Sequence, residues 1–148
     1  MEKRIPIEHA RLAEIVREHP TPFHVYDEAA IRANARRLID CFSWNPGFRE
    51  FFAVKATPNP FILSVLREEG FGADASSLPE LLLSERAGIT GSDIMFSSND
   101  TPDAEFAKAR ELGAIVNLDD IGHIAPLERN GGIPETISVR YNPGKART

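Results

Sequence analysis

A lysine that closes an apolar run is the first residue here whose chemistry asks for an explanation. Phe51-Phe52-Ala53-Val54 leads directly into Lys55. So apolar a strand belongs in an interior, where burial penalises an ammonium ion and lowers its pKa. A neutral amine is what Schiff-base formation with an aldehyde requires. Position alone also permits a lysine that merely leaves the strand for solvent. Polar side chains gather at four later points: Asp74 with Ser76 and Ser77, Ser97 with Ser98 and Asn99, Asn117 with Asp119, and Arg140 with Asn142. For Ser76, Ser77, Asp100 and Asp119, capping of the next helix is the plainer role, because each can accept from an orphan N–H there.

The elements that must hold these residues are readable from their period. Lys55, Asp74, Phe96, Asn117 and Arg140 each end a short apolar run, at intervals of 19 to 23 residues. Amphipathic stretches lie between the runs. Strands alternating with helices at so even a period predict βα units and a parallel sheet. Near-continuous apolar strands fit a sheet covered on both faces. The first βα turn, Lys55-Ala56-Thr57-Pro58-Asn59-Pro60, has no glycine, so the dinucleotide fingerprint is absent. The fold class is therefore α/β, a partial (β/α)8 TIM-type barrel of about five βα units, with the chemistry at the C-terminal ends of the strands. Before it, residues 1–26 carry a short helix (7–19) and a strand, Phe23-His24-Val25-Tyr26. Asp27 is placed to cap the next helix, and residues 27–148 form the barrel part.

A complete barrel of this type needs about 250 residues. This chain of 148 stops at Lys145-Ala146-Arg147-Thr148, just past the fifth strand. A fragment or a truncated product is expected, inactive by itself, with an open edge at the fifth strand. Ala53, Phe96, Ile115 and Val139 are then expected to face water in part.

Composition excludes several classes. The net charge is −5 and Lys and Arg are not clustered, so a nucleic-acid footprint is missing. No apolar run is long enough to span a bilayer, and the N-terminus has no secretory h-region. The lone Cys41 rules out an internal disulfide and a Cys-x-x-Cys site, and reads as a buried small hydrophobe. A cytoplasmic protein is expected. His123 reads as a partly exposed helical histidine.

Six segments in register resemble one family. Phe52-Ala53-Val54-Lys55-Ala56 resembles the lysine strand of the barrel-type pyridoxal-phosphate decarboxylases, of alanine racemase-like fold. That group includes the diaminopimelate, arginine and ornithine decarboxylases. Thr21-Pro22-Phe23-His24-Val25-Tyr26-Asp27 resembles the family's opening segment. Gly72-Ala73-Asp74-Ala75-Ser76-Ser77-Leu78-Pro79-Glu80-Leu81 resembles its second strand and the helix that follows. Ile94 to Asn99, Asn117 to Asp120, and Ser138 to Gly144 match the third, fourth and fifth strands. The opening segment and Arg140-Tyr141-Asn142-Pro143 look most like diaminopimelate decarboxylase.

The resemblance implies pyridoxal 5'-phosphate as cofactor and Lys55 as the lysine that binds it covalently. Ala53 would lie close beneath the cofactor, and Asp74, Glu80 and Arg140 in the polar shell around it, with Arg140 helping to keep Lys55 neutral. It further implies decarboxylation of an α-amino acid, meso-diaminopimelate to lysine, and a homodimer as the complete enzyme. A different barrel-type decarboxylase, a racemase, or a non-catalytic relative are the alternatives. The racemases tend to have Asn and Tyr-Gly soon after the lysine, which Ala56-Thr57-Pro58-Asn59-Pro60 lacks. The family's stacking histidine, glycine-rich phosphate loop, acidic partner of the ring nitrogen and catalytic cysteine belong to later segments and have no match in this sequence.

Overall fold

The computed structural model describes residues 7–141 and Pro143. The sequence features at Met1–Pro6, Asn142, Gly144 and Lys145–Thr148 lie outside them. Five short strands form one parallel sheet in the order β1 (Phe51–Ala53), β2 (Gly72–Ala75), β3 (Ile94–Ser97), β4 (Ile115–Leu118) and β5 (Ile137–Val139). Helices α1 (His9–Glu18) and α2 (Glu28–Cys41) precede the sheet. Helices α3 (Pro60–Glu68), α4 (Leu78–Arg86), α5 (Asp103–Glu111) and α6 (Ile124–Arg129) cross over between successive strands.

Local signals fix several boundaries. The Asp27 carboxylate accepts from the Ala30 N–H at 3.0 Å and starts α2. The Asn59 side chain accepts from the Phe61 N–H at 3.0 Å, with Pro60 at the first helical position of α3. Gly113 (φ 71°) closes the α5 end in the left-handed conformation that glycine adopts without strain.

Register sorts the strand residues onto two faces. Phe52 pairs with Ala73, Ala73 with Ile94, Phe96 with Val116, and Leu118 with Val139. Ala73, Ala75, Ile94, Phe96, Val116 and Leu118 join Leu63, Leu81, Phe106 and Leu127 of the helices in one core. The other face carries Ala53, Asp74, Met95, Ser97, Ile115, Asn117 and Ser138, all half-buried. Strands β3 and β4 thus alternate in burial and are not continuously buried. Phe96, expected to meet water, is 1% exposed beneath the helices. Ala53 and Ile115 do lie on the half-open face. Val139, 68% exposed, is on the helix side of the edge strand.

Other expectations are corrected too. Phe23–Tyr26 forms no strand among the described residues. Its aromatic and β-branched residues favour an extended backbone, yet that preference does not supply a ladder partner. Cys41 is exposed. The buried stripe of α2 runs through Ile31, Ala35 and Leu38, whose next member at helical spacing is Phe42, so Cys41 falls beside it. After β4 the chain makes a 3-10 turn, Ile121–His123, before α6. His123 is half-exposed there, edge-on to Phe106 at 5.6 Å between centroids.

Helix α2 is fastened to the end of α3 by charge. Arg32 contacts Glu28, Glu68 and Glu69 at 2.7–2.9 Å, and Arg36 reaches Glu69 at 2.6 Å. Hydrogen bonds from Arg36 and then Arg32 hold the Glu69 carboxyl down at about 2, against an ordinary value near 4.5. A depressed carboxyl contributes stability that is fully present above its unfolded pKa and is lost as pH falls through the folded one. Glu69→Gln should therefore lower the melting temperature at pH 7, and the difference from wild type should shrink between pH 4.5 and 2, bounds set by those two values. Thermal unfolding across that range reads it directly.

Candidate active site at the C-terminal end of the sheet

The half-open face and the C-terminal strand ends bring together most of the residues singled out above. After β1, a 3-10 turn (Val54–Ala56) tucks Val54 into the core and leaves Lys55 exposed. Lys55 is therefore not a buried strand residue. Ala53, immediately before the turn, pairs with Asp74 of β2. One Asp74 oxygen, Oδ1, is buried and has no hydrogen-bond partner among the described residues. Burial pushes the Asp74 carboxyl above the ordinary carboxylate range. The Lys55 charge draws it back down, Glu80 pushes it up, and Arg140 draws it down. Lys55, Glu80 and Arg140 thus all act on Asp74. An acceptor left unfilled in a folded interior is costly, so it marks a place where a donor from a ligand fits.

Glu80 is committed to the corner between β2 and α4. It accepts from the Ser76 N–H at 3.0 Å, the Ser76 hydroxyl at 3.1 Å and the Ser77 hydroxyl at 3.1 Å. Ser77 sits at the N-cap position of α4 but caps nothing with its side chain. The orphan N–H of Leu78 is taken instead by Glu105 of α5 at 2.8 Å. Asp100 does not cap α5, whose N-cap position is Pro102. Capping after β4 is done by Asp120, which accepts from the Gly122 N–H at 2.7 Å. Asp119 is thereby free to pair with Arg140, Oδ1 to Nη1, at 2.8 Å.

Arg140 extends the β5 ladder by one bond, its N–H donating to the Leu118 carbonyl at 2.9 Å. It lies at the same end as Asp74 but three strands away. Its Nη2 approaches Ser97 Oγ at 3.4 Å, and that oxygen accepts from Asn117 Nδ2 at 2.7 Å. Ser97, Asn117 and Asp119 were legible only as polar strand-end residues. Their shared phase in the repeat was the available signal.

The arrangement offers an exposed amine, an unfilled carboxylate acceptor beside a small alanine, and a cationic donor, all at the strand ends of a parallel sheet. A family model described as "Pyridoxal-dependent decarboxylase, pyridoxal binding domain" matches residues 28–148. The chain belongs to that family. The cofactor of the family is pyridoxal phosphate.

Among curated relatives, the chain is 44% identical over 132 residues to "Protein TabA" of Pseudomonas amygdali pv. tabaci, covering 89% of this chain and 30% of that protein. It is 35% identical to the diaminopimelate decarboxylase of Methanothermobacter thermautotrophicus, covering 90% of this chain and 32% of that enzyme. The chain thus spans about a third of the length of these relatives. Diaminopimelate decarboxylase from Helicobacter pylori, solved with L-lysine, superposes with a TM-score of 0.75 at 29% identity, over 89% of this chain and 34% of that one. Lysine decarboxylase from Selenomonas ruminantium shares the fold, with a TM-score of 0.76 at 22% identity over 93% of this chain and 35% of that one. The expected fold class holds: the five parallel strands and the helices between them are part of a TIM-type barrel.

Proposed function

We propose that the whole protein carrying this chain decarboxylates an α-amino acid with pyridoxal phosphate, converting meso-diaminopimelate to lysine. The observation that carries the reading is the meeting of Lys55, the unfilled Asp74 oxygen and Arg140 at one end of a sheet of this family. Lys55 is the amine that binds the cofactor covalently. Its exposure on a tight turn lets it reach over the strand ends. Ala53, opposite Asp74 in register, keeps the floor low enough for a flat ring. Asp74 presents its free oxygen to a donor of the bound group, and Arg140 presents N–H donors to an acceptor. Glu80 binds no ligand directly in this scheme. It holds the Ser76–Ser77 corner that walls the site next to Asp74. When bound, pyridoxal phosphate supplies an electron sink for the bond that breaks as carbon dioxide leaves. A homodimeric enzyme belongs to the same reading.

The diaminopimelate decarboxylases among the relatives favour that substrate over arginine and ornithine. A site that hydrogen-bonds a substrate's polar terminus rejects analogues lacking it by large factors. The test is release of carbon dioxide by the whole protein with pyridoxal phosphate. We expect kcat/KM for meso-diaminopimelate to exceed that for ornithine, arginine or lysine by at least ~100-fold. A preference for arginine or ornithine would move the assignment to another decarboxylase of the group. Cofactor binding with no turnover of any of the four would mark a non-catalytic relative.

A further inference from the structure

Two adjacent acids after β4 have separate tasks. Asp120 caps the 3-10 turn through the Gly122 N–H, which leaves the Asp119 carboxylate for Arg140 Nη1 at 2.8 Å. On the other side of the guanidinium, Nη2 reaches Ser97 Oγ at 3.4 Å. That hydroxyl oxygen is itself fixed by Asn117 Nδ2 at 2.7 Å. The arginine is thus gripped from both sides by groups on β3, on β4 and just after β4.

The grip matters because of where Arg140 stands. It follows β5, a strand of only three residues. Its side chain is 48% exposed, whereas that of Asp119 is 24% exposed. A long side chain at such a place has several rotamers open to it, and each must be given up on binding a ligand. A carboxylate that pre-pays this ordering and leaves other N–H donors unused makes the guanidinium a better receptor. We propose that Asp119 is the positioning residue for Arg140, aiming its remaining donors at the cofactor bound through Lys55. The inference rests on the assignment of Lys55 and Arg140 to the cofactor site.

The test is a double-mutant cycle in the whole protein, read by absorbance titration with pyridoxal phosphate, and so independent of turnover. Asp119→Ala should weaken cofactor binding about 10-fold in the wild-type background and less than about twofold in Arg140→Ala, because the residue it acts through is then missing. Asp119→Asn should lose less than Asp119→Ala, since its amide oxygen still accepts. If Asp119→Ala does not fold, the same cycle run with Asp119→Ser carries the same expectation. Equal losses in both backgrounds would overturn the role of Asp119 and leave that of Arg140 standing. Cofactor affinity untouched by Arg140→Ala would overturn the assignment of Arg140 itself, and this inference with it.

Discussion

Lys55→Ala is expected to lower kcat/KM of the whole protein at least ~1000-fold, about 4 kcal/mol of transition-state stabilisation, while shifting unfolding by no more than ~0.5 kcal/mol. The two halves of that expectation come from the same turn. Val54 goes into the core and Lys55 stays out of both core clusters, so removing its side chain leaves no cavity. Lys55→Arg should not restore activity, because a guanidinium keeps the charge but is not a usable nucleophile. Borohydride reduction of the cofactor-loaded protein, followed by peptide mapping, should place the cofactor on Lys55. Lys108 is a poor competitor. Its ammonium is held by Glu85 at 3.0 Å and Glu111 at 2.8 Å, and hydrogen bonds to Glu111 and Glu85 raise its pKa. A tag on Lys108 or Lys145, with Lys55 unmodified, would remove Lys55 from the proposed role.

Gly72→Ala is expected to destabilise the fold by about 3 kcal/mol, the upper part of the range for overpacking a rigid interior. Gly72 opens β2 and pairs with Phe51 of β1. A Cβ there would run into the Asp93 carbonyl oxygen and come within 2.7 Å of Phe51 Cδ1. The obstacle is backbone on one side and a strand-borne ring on the other, so neither yields cheaply. The demand is for closeness, not for an unusual φ, as befits a glycine within a strand. Denaturant titration of the alanine variant measures the cost. A loss below about 1 kcal/mol would mean that the β1–β3 corner relaxes more readily than a packed interior should.

The sequence made the βα period legible because each strand is short and some helices carry a clear start signal, as Asp27 and Pro60 show. Lys55, Asp74 and Arg140 stood out for the same reason: charged groups at one phase of that period come to one end of the sheet, whereas Glu80, within α4, was marked only by the family resemblance. Which face a strand residue takes was harder to read. Phe96 and Ile115 were both expected to meet water in part, and only the register separates them, since a shift of one position exchanges the faces. Position alone left Lys55 open between interior and solvent, and the 3-10 turn that begins at Val54 turns it to solvent. Asp119 and Asp120 are chemically identical neighbours. Only backbone geometry decides which caps and which pairs. Glu105 escaped notice because its partner, the Leu78 N–H, is 27 residues away, beyond any local capping pattern.

The two-faced sheet also bears on how such proteins change over evolutionary time. Side chains that close the core against the helices, Ile94, Phe96 and Val116 among them, are almost fully enclosed, and their replacement is punished whatever the reaction. Those on the opposite side, such as Met95, Ser97, Ile115 and Asn117, are only half-covered by the described residues, so within this chain less packing resists their exchange. Heritable variation is thereby steered toward the face that carries Asp74 and Asn117. A lineage can alter alternate residues of the same strands while the intervening ones keep the scaffold intact.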